Sequence, residues 1–353
     1  ALAQYRWVLL ILTGDEESVF PWEKISHPRR KVWAMGALPG AQGIDRPLGS
    51  GYSLGFPNLV RGLRLKAPGR LDVFLCAQDT HERRHQAFAA ARDAAPPERR
   101  YVLATSAFLA DGSPEKGGLS REQYAFQIVD AKVTPCPSGP CSPDTFRLYE
   151  ALEAGVVPIA DGSIAIGHVD GYWPYVFGEP VPFPVLDNWS ELAEHVARIR
   201  GEWPVPASRT LAWWLGWKRR LAYAFDADVR ELSEDTEPVV QGPDDLITVM
   251  IVAAPINSHP STAMTEEVVE SVRAQLPTAE IIVACDGVRP GMEHKAADYE
   301  EYLLRLTRLC ADWYNVVPVI LPEWGHQANA TRVALELVTT PLILFVEHDT
   351  PVV

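Results

Sequence analysis

The sequence predicts an α/β protein made of two parallel-sheet domains in tandem, and three observations carry that expectation. Apolar strand-like runs alternate with amphipathic helices over roughly residues 70–200, the pattern of a parallel sheet with helices on both faces. The alternation then stops at "ELSEDTEPVVQGPDD" (231–245), which is acidic, carries Pro and Gly, has no sustained periodicity and reads as a linker. After it the alternation restarts and runs to the last residue. A chain of 353 residues is also longer than one average domain.

In order, the first domain offers "LDVFLCA" (71–77) as a buried strand and "HQAFAAARDAA" (85–95) as a helix. "RYVLAT" (100–105) is a strand, "SREQYAFQIVDA" (120–131) a helix and "KVTPC" (132–136) a short strand. A helix after loop 136–143 and the strand "VVPIA" (156–160) complete the series, and "LAWWLGWKRRLAYAF" (211–225) is an aromatic helix with a basic cluster. Its Trp213, Trp214 and Trp217 read as packing. Residues 1–65 give one strand and then Gly/Pro-rich loops, a lead-in or the remnant of a preceding lobe. The expected divisions are therefore 1–65, 66–230, the linker 231–245, and 246–353. In the last segment "LITVMIVAA" (246–254), "AEIIVACDG" (279–287), "VVPVILP" (316–322) and "PLILFVEHDTP" (341–351) are strands. The helices between them cover 262–276, 298–313 and 326–338.

Composition narrows the function classes. Hydrophobic content of 47% and charged content of 22% are ordinary for a globular chain. A net charge of −14 disfavours nonspecific contact with nucleic acid or anionic membrane. The run "WVLLIL" (7–12) is too short to span a bilayer, no signal peptide is visible, and the expected location is the cytoplasm. Five cysteines do not form a disulfide framework, and Cys136 and Cys141 lack the companions of a zinc site. His81 and His85, around Glu82, do not match the zinc-protease spacing. Beginning at Ala1 in a strand-like segment and ending at Val353 just after an acidic motif, the sequence reads as a fragment.

The first chemical signal is "PSGPCSPDTFRLYEALEAGVVPIADG" (137–162). At about 100° per residue, Asp144, Arg147 and Glu150 fall on one helix face, with Phe146, Leu148, Tyr149 and Leu152 on the core side. A loop feeding a helix N-terminus favours an anion. Arg147 could grip a phosphate, and Glu150 could accept from a ribose diol. The alternative is an Asp144 N-cap with a surface Arg147–Glu150 pair. The stretch "CPSGPCSPDTFRLYEALEAGVVPI", with "VPFPVLDNWSELAEHVARI" (181–199), resembles the nucleotide-sugar half of exostosin-type glycosyltransferases, over roughly 68–225. That resemblance implies a GT-B-type lobe, places Glu150 on the nucleotide ribose, and puts Arg83 and Arg84 of "DVFLCAQDTHERRHQAF" near the diphosphate. The family's acceptor lobe would precede residue 1.

In the last segment "LFVEHDTP" sets Glu347 and Asp349 two apart on a strand, so both carboxylates share a face, suited to Mn²⁺ or Mg²⁺. The ordered set "VAAPINSHP", "LPTAEIIVACDG" and "NATRVALELVTTPLILFVEHD" resembles the nucleotide-binding half of GT-A, family-two glycosyltransferases. The resemblance implies a metal and donor diphosphate at Glu347 and Asp349, a nucleotide contact at Asp286, and an acceptor part beyond Val353. His259, His326 and His348 are weak candidates for a general base.

The sequence thus leads to an α/β chain of two Rossmann-like parallel-sheet domains, a GT-B-type donor lobe followed by a truncated GT-A-type domain. The expected activity is glycosyl transfer of hexosyltransferase type, from a nucleotide diphosphate sugar to a glycan or other hydroxyl acceptor. Catalytic residues stay unassigned. The alternatives are a sugar transferase acting on modified DNA bases, as in some phages, and a non-catalytic nucleotide-binding scaffold.

Overall fold

The computed structural model describes residues 4–13, 21, 24–105, 118–164, 167–233, 242–348 and 351–352. It is an α/β protein with several parallel sheets, and it divides into two compact units. The first comprises 1–206 with 224–235, the second 207–223 with 236–353.

The first unit opens with β1 (Val8–Leu12), β2 (Arg30–Met35) and β3 (Arg46–Leu48), which form a three-stranded parallel sheet. Residues 1–65 therefore hold more regular structure than the single strand their Gly/Pro-rich sequence suggests. After α1 (Phe56–Val60) comes the series β4 (Leu71–Gln78), α2 (Glu82–Asp93), β5 (Arg100–Thr105), α3 (Arg121–Val129), β6 (Ala131–Cys136), α4 (Phe146–Ala154) and β7 (Val157–Asp161). A small hairpin of β8 (Ser163–Ile164) and β9 (Gly167–His168) leads to α5 (Tyr172–Phe177), β10 (Val185–Leu186) and α6 (Leu192–Glu202). The larger sheet runs β10-β7-β6-β4-β5, all parallel. Counted along the chain this is the doubly wound order 2-1-3-4-5, whose connections change direction between its first and third strands, here β4 and β6.

Local sequence explains the main elements. Six consecutive residues of β4, Asp72–Ala77, are buried because helices cover both faces of the sheet. Ser120 and Gln123 form a reciprocal capping box that starts α3. Gly155, at φ 73°, ends α4 in the left-handed region that favours glycine.

Helix α7 (Val205–Ser233) is a single 29-residue helix, longer than the aromatic stretch 211–225 suggests, and its residues are shared between the units. Of the expected linker, 234–241 lie outside the described residues, and α8 (Pro243–Leu246) occupies its end. The second unit continues with β11 (Ile247–Ala253), α9 (Ala263–Gln275), β12 (Glu280–Cys285), α10 (Ala296–Asp312), β13 (Val316–Ile320), α11 (His326–Leu335) and β14 (Leu342–Glu347). Its parallel sheet has the order β13-β12-β11-β14, so the direction changes between β11 and β14. Met250, Ile282, Ala330 and Ala334 lie in the core on one side of this sheet. Among the described residues no helix is long and apolar enough to cross a membrane.

Candidate functional site

Strands β4 and β6 pair at Leu71–Ala131 and Val73–Val133, both toward their N-terminal ends. Farther along β6 stands Pro135, which has no N–H to give. Beyond the paired residues a side chain supplies a donor instead: Arg147 Nε bonds the Cys76 carbonyl of β4 at 2.8 Å. Open α/β sheets bind ligands at such a switch point, beyond the carboxyl ends of the strands. Here it opens into a cavity of about 570 Å³, a size within the range of small-molecule sites.

The walls differ in origin. Gln78 ends β4, and Thr80 and Arg84 follow it; Gly139–Ser142, Asp144 and Thr145 follow β6; Phe146, Arg147 and Glu150 belong to α4; Arg121 and Tyr124 belong to α3. The remaining wall comes from residues 35–59, including Met35, Ser50, Leu54 and Leu59.

Of the residues singled out by sequence, Arg84, Asp144, Arg147 and Glu150 line this cavity together. Arg84 is half-buried and donates to the carbonyls of Ser138 (Nε, 3.2 Å) and Gln78 (Nη1, 3.1 Å), tying the loops after β4 and β6. Asp144 precedes the true N-cap, Thr145. Its buried carboxylate accepts from the Ser50 amide at 2.8 Å and the Thr145 amide at 2.9 Å. Burial pushes its pKa up, and the bonds from Ser50 oppose that. Asp144 thus fastens the 35–59 wall to the loop before α4. The neighbouring Gly49 lets the backbone lie directly on Tyr149, since an added Cβ would fall 1.7 Å from the Tyr149 hydroxyl.

Glu150 is buried, and its Oε2 accepts from the Tyr124 hydroxyl at 2.7 Å. The Tyr124 ring lies 5.9 Å from the Arg147 guanidinium. Burial, and next the charge of Glu150, hold the phenol well above its ordinary pKa, so it remains the donor. Apart from the bond to Cys76, the Arg147 side chain makes no hydrogen bond among the described residues.

Arg83 is placed elsewhere. Its guanidinium is paired with Asp161, which is 0% exposed, and its Nη1 donates to the Asp187 carbonyl at 3.0 Å. Asp161 also accepts from the Ser138 amide (3.2 Å), the Ser163 amide (3.1 Å) and Trp189 Nε1 (3.2 Å). Arg83 is not among the residues lining the cavity. One placement on α4 differs from its helical wheel: Phe146 is 41% exposed on the cavity, not in the core. Glu153, a charge on the core side of that wheel, is indeed buried, against Arg64, whose Nη1 reaches its carbonyl at 2.5 Å and its Oε1 at 3.4 Å. Tyr124 and the 35–59 wall carried no motif. A tyrosine on an amphipathic helix reads as core, and its ring does pack on Phe74 and Phe56.

In the second unit two of the three expected site residues, Asp286 and Glu347, are among the described residues. Asp286 is buried, and its Oδ1 accepts from the amides of Gly287 and Gly325, both at 2.8 Å. The carboxylate clasps the loops after β12 and β13. A Cβ on Gly287 would fall 2.3 Å from the Glu323 backbone, so the loops touch there. Glu347 is exposed and accepts from Gln327 Nε2 at 3.1 Å. Asp349 lies outside the described residues. Among the described residues no group of three or more His, Cys, Asp or Glu is placed to hold a metal; of the pair expected to hold Mn²⁺ or Mg²⁺, only Glu347 is described. Of the weak base candidates, His348 donates from Nδ1 to the Val252 carbonyl at 3.1 Å. His259 is buried and stacks 3.9 Å from the Tyr302 ring, and His326 packs edge-on against Trp324.

No protein-family model matches the chain, and no curated protein matches it.

Proposed function

We propose that the first unit binds a nucleotide diphosphate sugar in the β4–β6 crevice, and that the protein is a glycosyltransferase delivering that sugar to a hydroxyl acceptor. The observation that carries the reading is the alignment of Arg84, Arg147 and Glu150 along one cavity at the switch point. Two guanidinium groups and the N-terminus of α4 suit a diphosphate. The Glu150 carboxylate, one oxygen held by Tyr124, suits the vicinal hydroxyls of a ribose. Transfer would form a bond from the acceptor oxygen to the anomeric carbon and break the bond to the diphosphate. The two arginines would hold the charge that develops on the leaving group. The likeness of 137–162 to exostosin-type GT-B enzymes supports the same reading, and for the second unit the likeness to GT-A enzymes supports a family-two ancestry.

A second reading applies to the second unit alone. Because Asp286 Oδ1 accepts from two backbone amides, that unit is read as a scaffold in which Asp286 holds the loops after β12 and β13.

The test is calorimetric titration of UDP, GDP and their sugar derivatives into the full chain. Binding should weaken about tenfold or more in Arg147→Ala and Glu150→Ala, the scale of hydrogen bonds to charged groups. Absence of binding by every nucleotide, or wild-type affinity in both variants, would sink the reading. Release of diphosphate from a sugar donor separates an enzyme from a scaffold.

A further inference from the structure

Besides the charged groups assigned to phosphate and ribose, the cavity has an apolar wall. Leu54 stands on it 91% exposed. This is not the tip of a loose turn, because Arg121 of α3 donates to the Leu54 carbonyl. Gly55 follows at φ 76°, and the Phe56 amide bonds the Ser53 carbonyl at 3.0 Å to start α1. The backbone is therefore fixed in a form that holds an apolar side chain out over the opening. Phe146, the first residue of α4, lines the same cavity 41% exposed, and Met35 and Leu59 extend the apolar surface. Large apolar groups held exposed beside a pocket gain free energy only when something apolar covers them.

We infer that this wall is the acceptor subsite, and that the acceptor is a hydroxyl compound with an aryl body rather than an unsubstituted sugar. The inference rests on the donor reading above. That reading places phosphates and ribose on Arg84, Arg147 and Glu150, all contributed by the doubly wound half of the unit. Leu54, Met35 and Leu59 come from the 35–59 segment instead, so the cavity joins a basic, hydroxyl-accepting side to an apolar one. A flat ring against Phe146 and Leu54 buries both side chains, with the offset or edge contacts that aromatic rings prefer. In the transfer the acceptor oxygen bonds to the anomeric carbon. The bond from that carbon to the diphosphate oxygen breaks with its electron pair on the diphosphate, and the hydroxyl proton passes to water.

The experiment uses the full chain saturated with UDP or GDP, whichever the wild type binds. Into it are titrated 4-methylumbelliferyl glucoside, as aryl probe, and methyl glucoside, as its non-aryl counterpart. The expected result is binding of the aryl probe at least about tenfold tighter than methyl glucoside. Leu54→Ser and Phe146→Ser should each weaken the aryl probe severalfold while leaving nucleotide affinity at the wild-type value. Both positions are exposed, so both variants should fold, which circular dichroism checks. Equal affinity for the two glucosides, or no binding of either with nucleotide bound, overturns the acceptor assignment and leaves the donor reading standing. Nucleotide affinity that falls in both variants also overturns it, by showing that the wall holds the base. Failure of the wild type to bind any nucleotide removes the donor reading first and this inference with it.

Discussion

The Tyr124 hydroxyl donates to Glu150 Oε2 at 2.7 Å, and the same ring lies 5.9 Å from the Arg147 guanidinium. One tyrosine on α3 therefore touches both charged groups that α4 presents to the cavity. Removing its hydroxyl leaves the ring packing on Phe74 and Phe56 intact and strips a buried carboxylate of its donor. Tyr124→Phe should cost about 1.5–3 kcal/mol of stability, the range for a hydrogen bond to a charged group. Urea denaturation measures it, and a loss below about 0.5 kcal/mol would mean that water replaces the phenol at no cost.

Adjacent arginines on α2 should behave differently. Arg83 is paired with the fully buried Asp161, so Arg83→Ala leaves a buried carboxylate without its counter-charge. Breaking such a pair costs about 3–5 kcal/mol, and the remaining donors from Ser138, Ser163 and Trp189 put the expectation at the lower end. Arg84→Ala removes two bonds to loop carbonyls from a half-buried side chain and should cost under about 2 kcal/mol. Its larger effect should be on nucleotide affinity. The two variants, compared by denaturation and by UDP titration, should therefore rank in opposite orders.

The contrast between these neighbours marks how far the sequence could be read. Strands such as "LDVFLCA" and "VVPIA" announce themselves, because a strand buried on both faces must be a continuous apolar run. The helix before Gly155 was equally legible, and so was the cavity-facing position of Arg147 and Glu150. What periodicity lacks is the identity of partners distant in sequence. Arg83 and Arg84 look alike until Asp161, 78 residues away, claims one of them. Glu153 looks misplaced on the α4 wheel until Arg64, 89 residues away, meets it in the core. The wall from 35–59 carried no pattern because glycine turns and short strands, not repeats, shape it. For Asp286, a strand-ending Asp-Gly reads as a ligand site, and the same two residues suit a loop clasp.

That clasp makes its own prediction. Asp286→Ala removes the acceptor of two backbone amides, Gly287 and Gly325, in a buried corner. At about 1–1.5 kcal/mol per bond, the second unit should lose about 2–3 kcal/mol. Asp286→Asn keeps a carbonyl oxygen at that position and should lose less. Hydrogen exchange at Gly287 and Gly325 reports the clasp directly: protection should vanish in the alanine variant and persist in the asparagine one. If both amides stay protected in Asp286→Ala, the loops are held by something else.

His259 should make the second unit sensitive to acid. Its ring is stacked 3.9 Å from Tyr302 and 5.2 Å from Tyr299, and its Nδ1 accepts from the Ile256 amide at 3.3 Å. Burial, with repulsion from His348 and to a smaller degree Lys295, pushes its pKa down to about 4, while Asp298 pulls the other way. An unfolded histidine titrates near 6.5. Between those values the unfolded chain binds a proton that the folded one refuses, so stability is whole above about pH 6.5 and falls as pH drops toward about 4. His259→Phe keeps a ring in the stack and removes the titration, at the cost of the Ile256 bond. Its stability at neutral pH should be lower than that of the wild type by about 1 kcal/mol. Over the acid window its curve should be the flatter of the two. Denaturant melts from pH 7.5 to 4.5 decide the matter: parallel curves for the two proteins would assign the acid sensitivity to other groups.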